Sequence, residues 1–101
     1  MPENGGTSQA SGHFHHVVLF RLKDDADPGR ALAALDAAKP VTGLVSWLVQ
    51  RSVDERKGPV IVELAVFESR AAFEAWRDSD LHQSAAAELS ELADWLVADW
   101  V

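Results

Sequence analysis

A chain of 101 residues with 48% hydrophobic and 25% charged residues has the size and composition of one ordinary globular domain. It contains no cysteine, which excludes disulfides, zinc thiolate sites, iron–sulfur clusters and thiol catalysis. The net charge of −7 argues against a nucleic-acid partner, and no run approaches the roughly 18 apolar residues of a membrane span, so no membrane partner is expected either.

Residues 1–12 are polar and rich in Gly and Ser, a composition that buries too little apolar surface to order itself. They predict a disordered N-terminal tail ahead of a single folded domain over 13–101. This segment lacks the basic and apolar regions of a secretory signal, so a cytoplasmic location is expected.

The folded part is predicted to contain strands and helices in the order β-α-β-β-α-(α)-β. Asp27 and Pro28 indicate the start of the first helix, Ser69 caps a short helix, and Ser79 or Asp80 caps the next. The predicted elements are a strand over 14–23, a helix over 28–39, strands over 44–53 and 60–67, a short helix with Phe73 and Trp76, a helix over 81–93 and a strand over 95–101. This order predicts the α+β class, a ferredoxin-like βαββαβ antiparallel sheet with helices on one face.

Both faces of the predicted sheet are apolar. In the first strand, alternation places Phe14, His16, Val18, Phe20 and Leu22 on one face and Val17 and Leu19 on the other. In the second strand, it places Val45, Trp47, Val49 and Val53 on one face and Leu44 and Leu48 on the other. In the third strand, it places Ile61, Ala65 and Phe67 on one face and Val60, Val62, Leu64 and Val66 on the other. Helices can cover only one of these faces. A second copy of the sheet is the simplest cover for the other, which predicts a homodimer with a shared α/β barrel.

Three segments resemble the stress-responsive A/B barrel (dimeric α/β barrel, Dabb) family. The first is the opening strand His16–Lys23. The second is Val66–Ser69, followed by Phe73, Trp76 and His82. The third is the terminal pair Asp99-Trp100. Together the resemblance covers residues 14 to 101.

This resemblance implies a homodimer of ferredoxin-like units, each with a pocket between sheet and helices and no cofactor. Some members are cyclases that close polyketide chains by aldol-type condensation, using two histidines and a tyrosine. His16 and His82 fall on the histidine positions. Trp76 stands at the tyrosine position, and its indole can only donate a hydrogen bond. Ser79-Asp80-Leu81 replaces the usual histidine and proline of that passage.

Periodicity predicts the same pair independently of the resemblance. His16 shares its strand face with Phe14, Val18 and Phe20, and helical spacing places His82 with Ala85, Ala86, Leu89 and Ala93. Because both faces are apolar and must pack together, the two imidazoles are expected in one cavity, reached from the helix side of the sheet. The predicted catalytic residues are His16 and His82, and the predicted substrate-binding residues are Phe14, Val18, Phe20, Phe73, Trp76, Ala86 and Leu89. The alternative is that both histidines only fill the core or a helix end.

Glu63 interrupts the apolar third strand on the face of Ile61 and Ala65. A buried carboxylate needs a partner, so we expect a structural ion pair near the subunit interface, with Arg21 or Arg51.

The cluster of His13, His15 and His16 has the side chains of a metal site but not the spacing. Alternation places His13 and His15 on one strand face and His16 on the other, so the three cannot converge. No metal site is expected.

Three functions are consistent with these observations. The leading one is a pocket protein for an apolar small molecule, acting as a cofactor-independent, polyketide-cyclase-like enzyme in which paired histidines transfer protons on a carbonyl substrate. The second is a non-catalytic dimeric domain for stress response or ligand binding. The third is a cofactor-free monooxygenase of the same barrel fold.

Overall fold

A computed structural model describes residues 12–101 of the chain. The tail predicted over 1–12 lies, apart from Gly12, outside the described residues. In chain order the elements are β1 (Phe14–Leu22), α1 (Pro28–Ala38), β2 (Leu44–Arg51), β3 (Val60–Phe67), α2 (Arg70–Arg77), α3 (Asp80–Leu92) and β4 (Ala93–Trp100).

The four strands form one antiparallel sheet in the order β2-β3-β1-β4. The two central strands of the sheet are β1 and β3, which are separated in sequence by α1 and β2. This topology is the ferredoxin-like βαββαβ arrangement that the sequence predicts. The helices cover one face of this sheet, which we call the inner face, and the opposite face is the outer face.

Strand alternation decides which side chains face the helices. The inner face of β1 carries Phe14, His16, Val18, Phe20 and Leu22, all buried. In β3 the inner residues are Ile61, Glu63, Ala65 and Phe67. These two central strands therefore supply most of the surface on which α1, α2 and α3 pack.

Polar caps set the helix starts where the sequence indicated them. The Gly29 backbone N–H donates to Asp27 Oδ1 at 2.8 Å, ahead of Pro28 at the first helical position. The Ser69 hydroxyl accepts from the Ala72 N–H, and the Ser79 hydroxyl accepts from the His82 N–H. Ser79 thus fixes the first turn of α3, from which the His82 side chain projects.

Two local details differ from the sequence prediction. The pairing of β2 with β3 shifts between Leu44 and Ser46, so Val45 is an extra residue in a β-bulge. Leu44 consequently packs with Trp47 beneath the helices, while Val45 is 48% exposed on the other side. β2 also ends at Arg51 rather than at Val53, whose side chain is fully exposed.

One glycine is required by the fold. Gly43 has φ +76°, and a Cβ at this position would lie 2.8 Å from the Cβ of Ala72 in α2. Both the left-handed backbone and the close approach need a residue without a side chain. Gly43 thereby allows α2 to pack closely against the start of β2.

Strand β4 lies at the edge of the sheet and is largely uncovered. Trp95, Val97 and Asp99 lie on the inner face and Leu96 and Trp100 on the outer face, yet all are exposed. β4 thus exposes large apolar side chains on both faces of the sheet. Among the described residues no helix is long and apolar enough to cross a membrane.

Candidate functional site

A cavity lies between the inner face of the sheet and the helices α2 and α3. Its volume is about 70 Å³ and its mouth is open, so it is smaller than the roughly 300–1,000 Å³ of typical small-molecule sites. We call it the inner cavity. Its lining residues are His16, Val18, Phe20, Glu63, Trp76, His82, Ala85, Ala86, Leu89, Trp95 and Val97.

Most of the side chains selected from the sequence line this cavity, and two do not. Phe14 and Phe73 stack on each other with ring centroids 4.5 Å apart, inside the core cluster behind the cavity. Phe73 still contacts the His16 ring, with centroids 4.9 Å apart. Phe73, stacked on Phe14, therefore packs against the imidazole, and neither phenylalanine lines the inner cavity.

His16 is held from β4. Antiparallel pairing places His16 opposite Asp99, and the Nδ1 atom lies 2.6 Å from Asp99 Oδ1. An ionised carboxylate can only accept a hydrogen bond, so the Nδ1 atom is the donor in this pair. The ring orientation is thereby fixed, and Nε2 faces away from Asp99.

Glu63 stands at the Nε2 side of the same ring, which corrects the sequence prediction. The residue is only 3% exposed on the inner face, and Oε2 lies 3.4 Å from His16 Nε2. The arginines expected as partners lie elsewhere. Arg21 approaches Asp94 at 3.8 Å and Arg51 approaches Glu55 at 3.4 Å. Glu63 shares the face of Ile61 and Ala65, as strand alternation predicts, but this is the inner face beneath the helices and not the face expected at a subunit interface.

Burial raises the pKa of the Glu63 carboxyl to about 7, and the nearby negative charge of Asp99 adds to the rise. Oε2 is buried without a hydrogen-bond partner in the described part of the chain. The inner cavity thus contains a carboxyl group whose neutral, proton-bearing form is favoured below a pH of about 7.

His82 enters the cavity from the first turn of α3. Its ring stands edge-on to Trp76, with centroids 4.4 Å apart. Burial lowers the pKa of His82, and the proximity of His16 lowers it further. The Nδ1 atom is buried and has no hydrogen-bond partner among the described residues. His82 therefore presents a neutral imidazole.

The Trp76 ring packs against both histidines. Its ring lies 5.8 Å from that of His16 and 4.4 Å from that of His82, measured between centroids. The indole Nε1–H donates to the Ala38 carbonyl at 2.8 Å, so this N–H is already used within the protein. Trp76 forms a wall of the inner cavity and offers no hydrogen-bond donor to a ligand.

Several residues of the site were not predicted. The sequence places Glu63 near an interface, gives Asp99 no role, and does not indicate Trp95, Val97 and Ala85 as cavity residues. A usable signal for Asp99 was available, because antiparallel pairing of the first and last strands brings the two ends of the chain together. Without the register, however, no particular residue could be placed opposite His16.

The N-terminal histidines do not converge. His13 is exposed, and His15 stacks on Trp100 at the outer face, with centroids 4.9 Å apart, whereas His16 points inward. Within residues 12–101 no group of three or more His, Cys, Asp and Glu side chains is arranged to hold a metal ion.

Comparisons with known proteins agree with this architecture. The profile of the stress responsive A/B barrel domain (Dabb) matches residues 14–101. An uncharacterized protein of Streptomyces coelicolor is 27% identical over 94 residues, which is 84% of this chain and 95% of that protein.

Similar solved structures have the same fold. A Dabb family protein with a ferredoxin-like fold from Mesorhizobium loti superposes with TM-score 0.74 and 20% identity, over 89% of this chain and 96% of that one. A dimeric ferredoxin-like protein from Thermobifida fusca has TM-score 0.76, 18% identity and coverages of 88% and 90%. SnoaB, a cofactor-independent oxygenase from Streptomyces nogalater, has TM-score 0.73, 18% identity and coverages of 88% and 91%.

Proposed function

The chain belongs to the stress-responsive A/B barrel (Dabb) family, and from that premise we propose that it is a small-molecule enzyme of the polyketide-cyclase type. In this proposal the inner cavity binds an apolar carbonyl compound, and His16 and His82 transfer protons on it without a cofactor. The substrate-binding wall consists of Val18, Phe20, Trp76, Ala86 and Leu89.

The observation that carries the proposal is the pairing of two differently held imidazoles at one apolar cavity. The Nδ1 atom of His16 is occupied by Asp99, while the Nδ1 atom of His82 is buried and has no hydrogen-bond partner in the described residues. A lowered pKa keeps the His82 imidazole uncharged at neutral pH. A neutral, oriented imidazole in an apolar cavity has the properties of a general base.

Proton transfer of this kind supports an aldol-type ring closure. A base removes a proton from the carbon beside one carbonyl group, and the resulting enolate carbon attacks a second carbonyl carbon of the same molecule. A C–C bond forms, and a proton returns to the new alkoxide oxygen. The apolar walls favour this chemistry because they exclude water and strengthen electrostatic interactions at the reacting atoms.

The test uses β-tetralone, an aromatic ketone with an acidic C–H beside its carbonyl, in deuterium oxide. NMR measures the rate at which that C–H exchanges for deuterium. We expect the protein to accelerate the exchange, and His82→Ala and His16→Ala each to lose about 10²–10⁴-fold of the acceleration. His13→Ala, which changes an exposed histidine, is the matched control. Equal exchange rates in all three variants and the wild type would contradict a catalytic role.

The alternative is a protein that binds the small molecule without acting on it, and the same samples can distinguish the two functions. Trp76 and Trp95 line the inner cavity, so their fluorescence should report an occupant. Binding of the ketone with no accelerated exchange would favour the non-catalytic, ligand-binding function.

A cofactor-free monooxygenase is the second candidate, favoured by the two tryptophans in the cavity wall. SnoaB, which has a similar fold, is described as a cofactor-independent oxygenase. Such a reaction also begins with removal of a proton from the substrate, after which the carbanion reacts with dioxygen. Consumption of dissolved oxygen by the protein with a hydroxylated aromatic substrate would select this candidate.

We also propose that the working unit is a homodimer. The outer face exposes large apolar side chains, including Leu19, Leu48, Leu96 and Trp100. Contiguous apolar surface on this scale is typical of an interface. Similar proteins from Thermobifida fusca and Bacteroides fragilis are described as dimeric, and a second copy laid on the outer face would bury these residues.

A further inference from the structure

We propose that Glu63 is a further catalytic residue of the inner cavity: its carboxylic acid donates a hydrogen bond, and then its proton, to the carbonyl oxygen of a bound ketone. The proposal rests on the proposed function and adds to it the group that activates the carbonyl. It also specifies the orientation of the substrate, with its oxygen towards the sheet and its acidic carbon towards α3.

The position of Glu63 is that of a group directed at a ligand. It lies in the middle of the central strand β3, lines the inner cavity and is 3% exposed. Its Oε2 atom is buried without a hydrogen-bond partner in the described residues. No hydrogen bond joins Oε2 to His16 Nε2, which lies 3.4 Å away. Buried polar atoms in proteins are almost always paired, so this oxygen is open to a water molecule or a ligand in the cavity.

The groups around Glu63 favour its neutral form. The titratable groups on its side of the sheet are His16 from β1, Asp99 from β4 and His82 from α3, and β2 places the apolar Val49 opposite it. Within the described residues no Lys or Arg approaches its carboxyl to within 4.0 Å. Asp99, already bonded to His16, is an anion that opposes a second negative charge nearby. The carboxyl therefore retains its proton and can act as a donor.

The opposite pKa shifts of Glu63 and His82 distinguish the acid of the cavity from its base. Burial raises the pKa of Glu63 to about 7 and lowers the pKa of His82. The two shifts run in opposite directions and reverse the ordinary order of the two pKa values, so the carboxyl keeps its proton at a pH where the imidazole is uncharged. In this step Glu63 is the acid and His82 is the base, and His16, whose Nε2 atom lies 3.4 Å from Glu63 Oε2, exchanges protons with the Glu63 carboxyl.

The proton balance of the step is simple. The C–H bond beside the carbonyl breaks, and its proton moves to the Nδ1 atom of His82. The O–H bond of Glu63 breaks, and its proton moves to the ketone oxygen. The products are an enol, a carboxylate and an imidazolium ion, and the return of both protons regenerates the ketone. No oxidant or reductant is required.

The first test asks whether Glu63 holds the proton, and it needs no ligand. Infrared difference spectra between the wild type and Glu63→Gln should contain the carbonyl stretch of a protonated carboxylic acid. We expect this band below a pH of about 7 and its loss above that value. Glu68→Gln, which changes an exposed glutamate five residues along the chain, should leave the band intact. Absence of the band in mildly acidic solution would overturn the proposal whatever the enzyme assays show.

The second test uses β-tetralone with Glu63→Gln and Glu63→Leu. Gln keeps a hydrogen-bond donor but cannot release a proton, so it should retain binding, measured by tryptophan fluorescence, and lose about 10²–10⁴-fold of the exchange rate. Leu should lose both. Wild-type exchange in Glu63→Gln would overturn the role of Glu63 as an acid.

Failure of the proposed enzymatic function can be distinguished from failure of the role proposed for Glu63. If the wild type accelerates no exchange, proton transfer fails for His82 and Glu63 alike. Tighter binding of β-tetralone to Glu63→Gln than to Glu63→Leu, together with the infrared band, would then still support donation of a hydrogen bond by Glu63. Equal binding by both variants would overturn that as well.

Discussion

His16 in β1 and Asp99 in β4 are cross-strand partners, and the imidazole Nδ1 lies 2.6 Å from the carboxylate Oδ1. The pair joins the first strand to the last strand, 83 residues apart. It fixes the ring so that the Nε2 atom is directed at Glu63, 3.4 Å away. An imidazole held between two carboxyl groups links the fold of the sheet to the chemistry proposed for the inner cavity.

Replacement of Asp99 tests this link. Asp99→Asn keeps the size of the side chain but removes the charge that selects the Nδ1–H form of His16. We expect about a 10²–10⁴-fold loss of ketone exchange. We also expect the pKa of Glu63 to fall from about 7, because the repulsive anion is gone. Asp94→Asn, in the same strand beside exposed Arg21, is the control and should change neither quantity.

Glu63 should make stability depend on pH. Its pKa is about 7 in the folded protein against an ordinary value of 4.5, so the unfolded chain releases this proton first as pH rises. Folding stability is therefore lost between these two values, by about 3 kcal/mol in total.

Chemical denaturation measures this dependence. Glu63→Gln should gain stability relative to the wild type above pH 7 and lose that gain as the pH falls towards 4.5. The difference in folding stability between Glu68→Gln and the wild type should be the same above pH 7 and near pH 4.5. A pH-independent difference for Glu63→Gln would show that ionised Glu63 carries no penalty in the fold.

Filling the inner cavity should abolish binding. Ala86 lines the cavity, whereas Ala87, one residue along α3, is exposed. Ala86→Phe should prevent quenching of tryptophan fluorescence by β-tetralone, and Ala87→Phe should leave it unchanged. Binding by both variants would place the ligand elsewhere.

The outer face should mediate dimerisation. Leu19 is 45% exposed there, between Val62 and Leu96 of the neighbouring strands. Leu19→Asp should give a folded monomer by light scattering, because in a dimer the new charge would be buried without a partner. Val41→Asp changes a residue that is 90% exposed outside the sheet, and this control should remain dimeric. A monomeric wild type would contradict the interface itself.

Trp76 should contribute to stability through its N–H. Trp76→Phe removes the bond to the Ala38 carbonyl and leaves that acceptor buried, at a cost of about 1–3 kcal/mol. Trp100→Phe, at a half-exposed position on the outer face, should change stability much less in samples kept at one protein concentration. Equal effects would indicate that the indole bond adds little beyond packing.

The sequence by itself determined the fold class and the orientation of the first histidine. Alternation along β1 is a local property of nine residues, and it assigns His16, Val18 and Phe20 to one face whatever the rest of the chain does. Helical spacing likewise grouped His82 with Ala86 and Leu89. Caps at Asp27, Ser69 and Ser79 marked the helix starts from single residues.

Only the tertiary structure decided what surrounds these side chains. Strand register brings Asp99 to one side of His16 and Glu63 to the other, and a bulge at Val45 moves that residue to the outer face. Mutual stacking withdraws Phe14 and Phe73 from the cavity wall. A periodic pattern specifies the face on which a residue lies within its own element. Register and packing between distant elements specify its neighbours, and those neighbours determine the charge and proton affinity of Glu63 and His82.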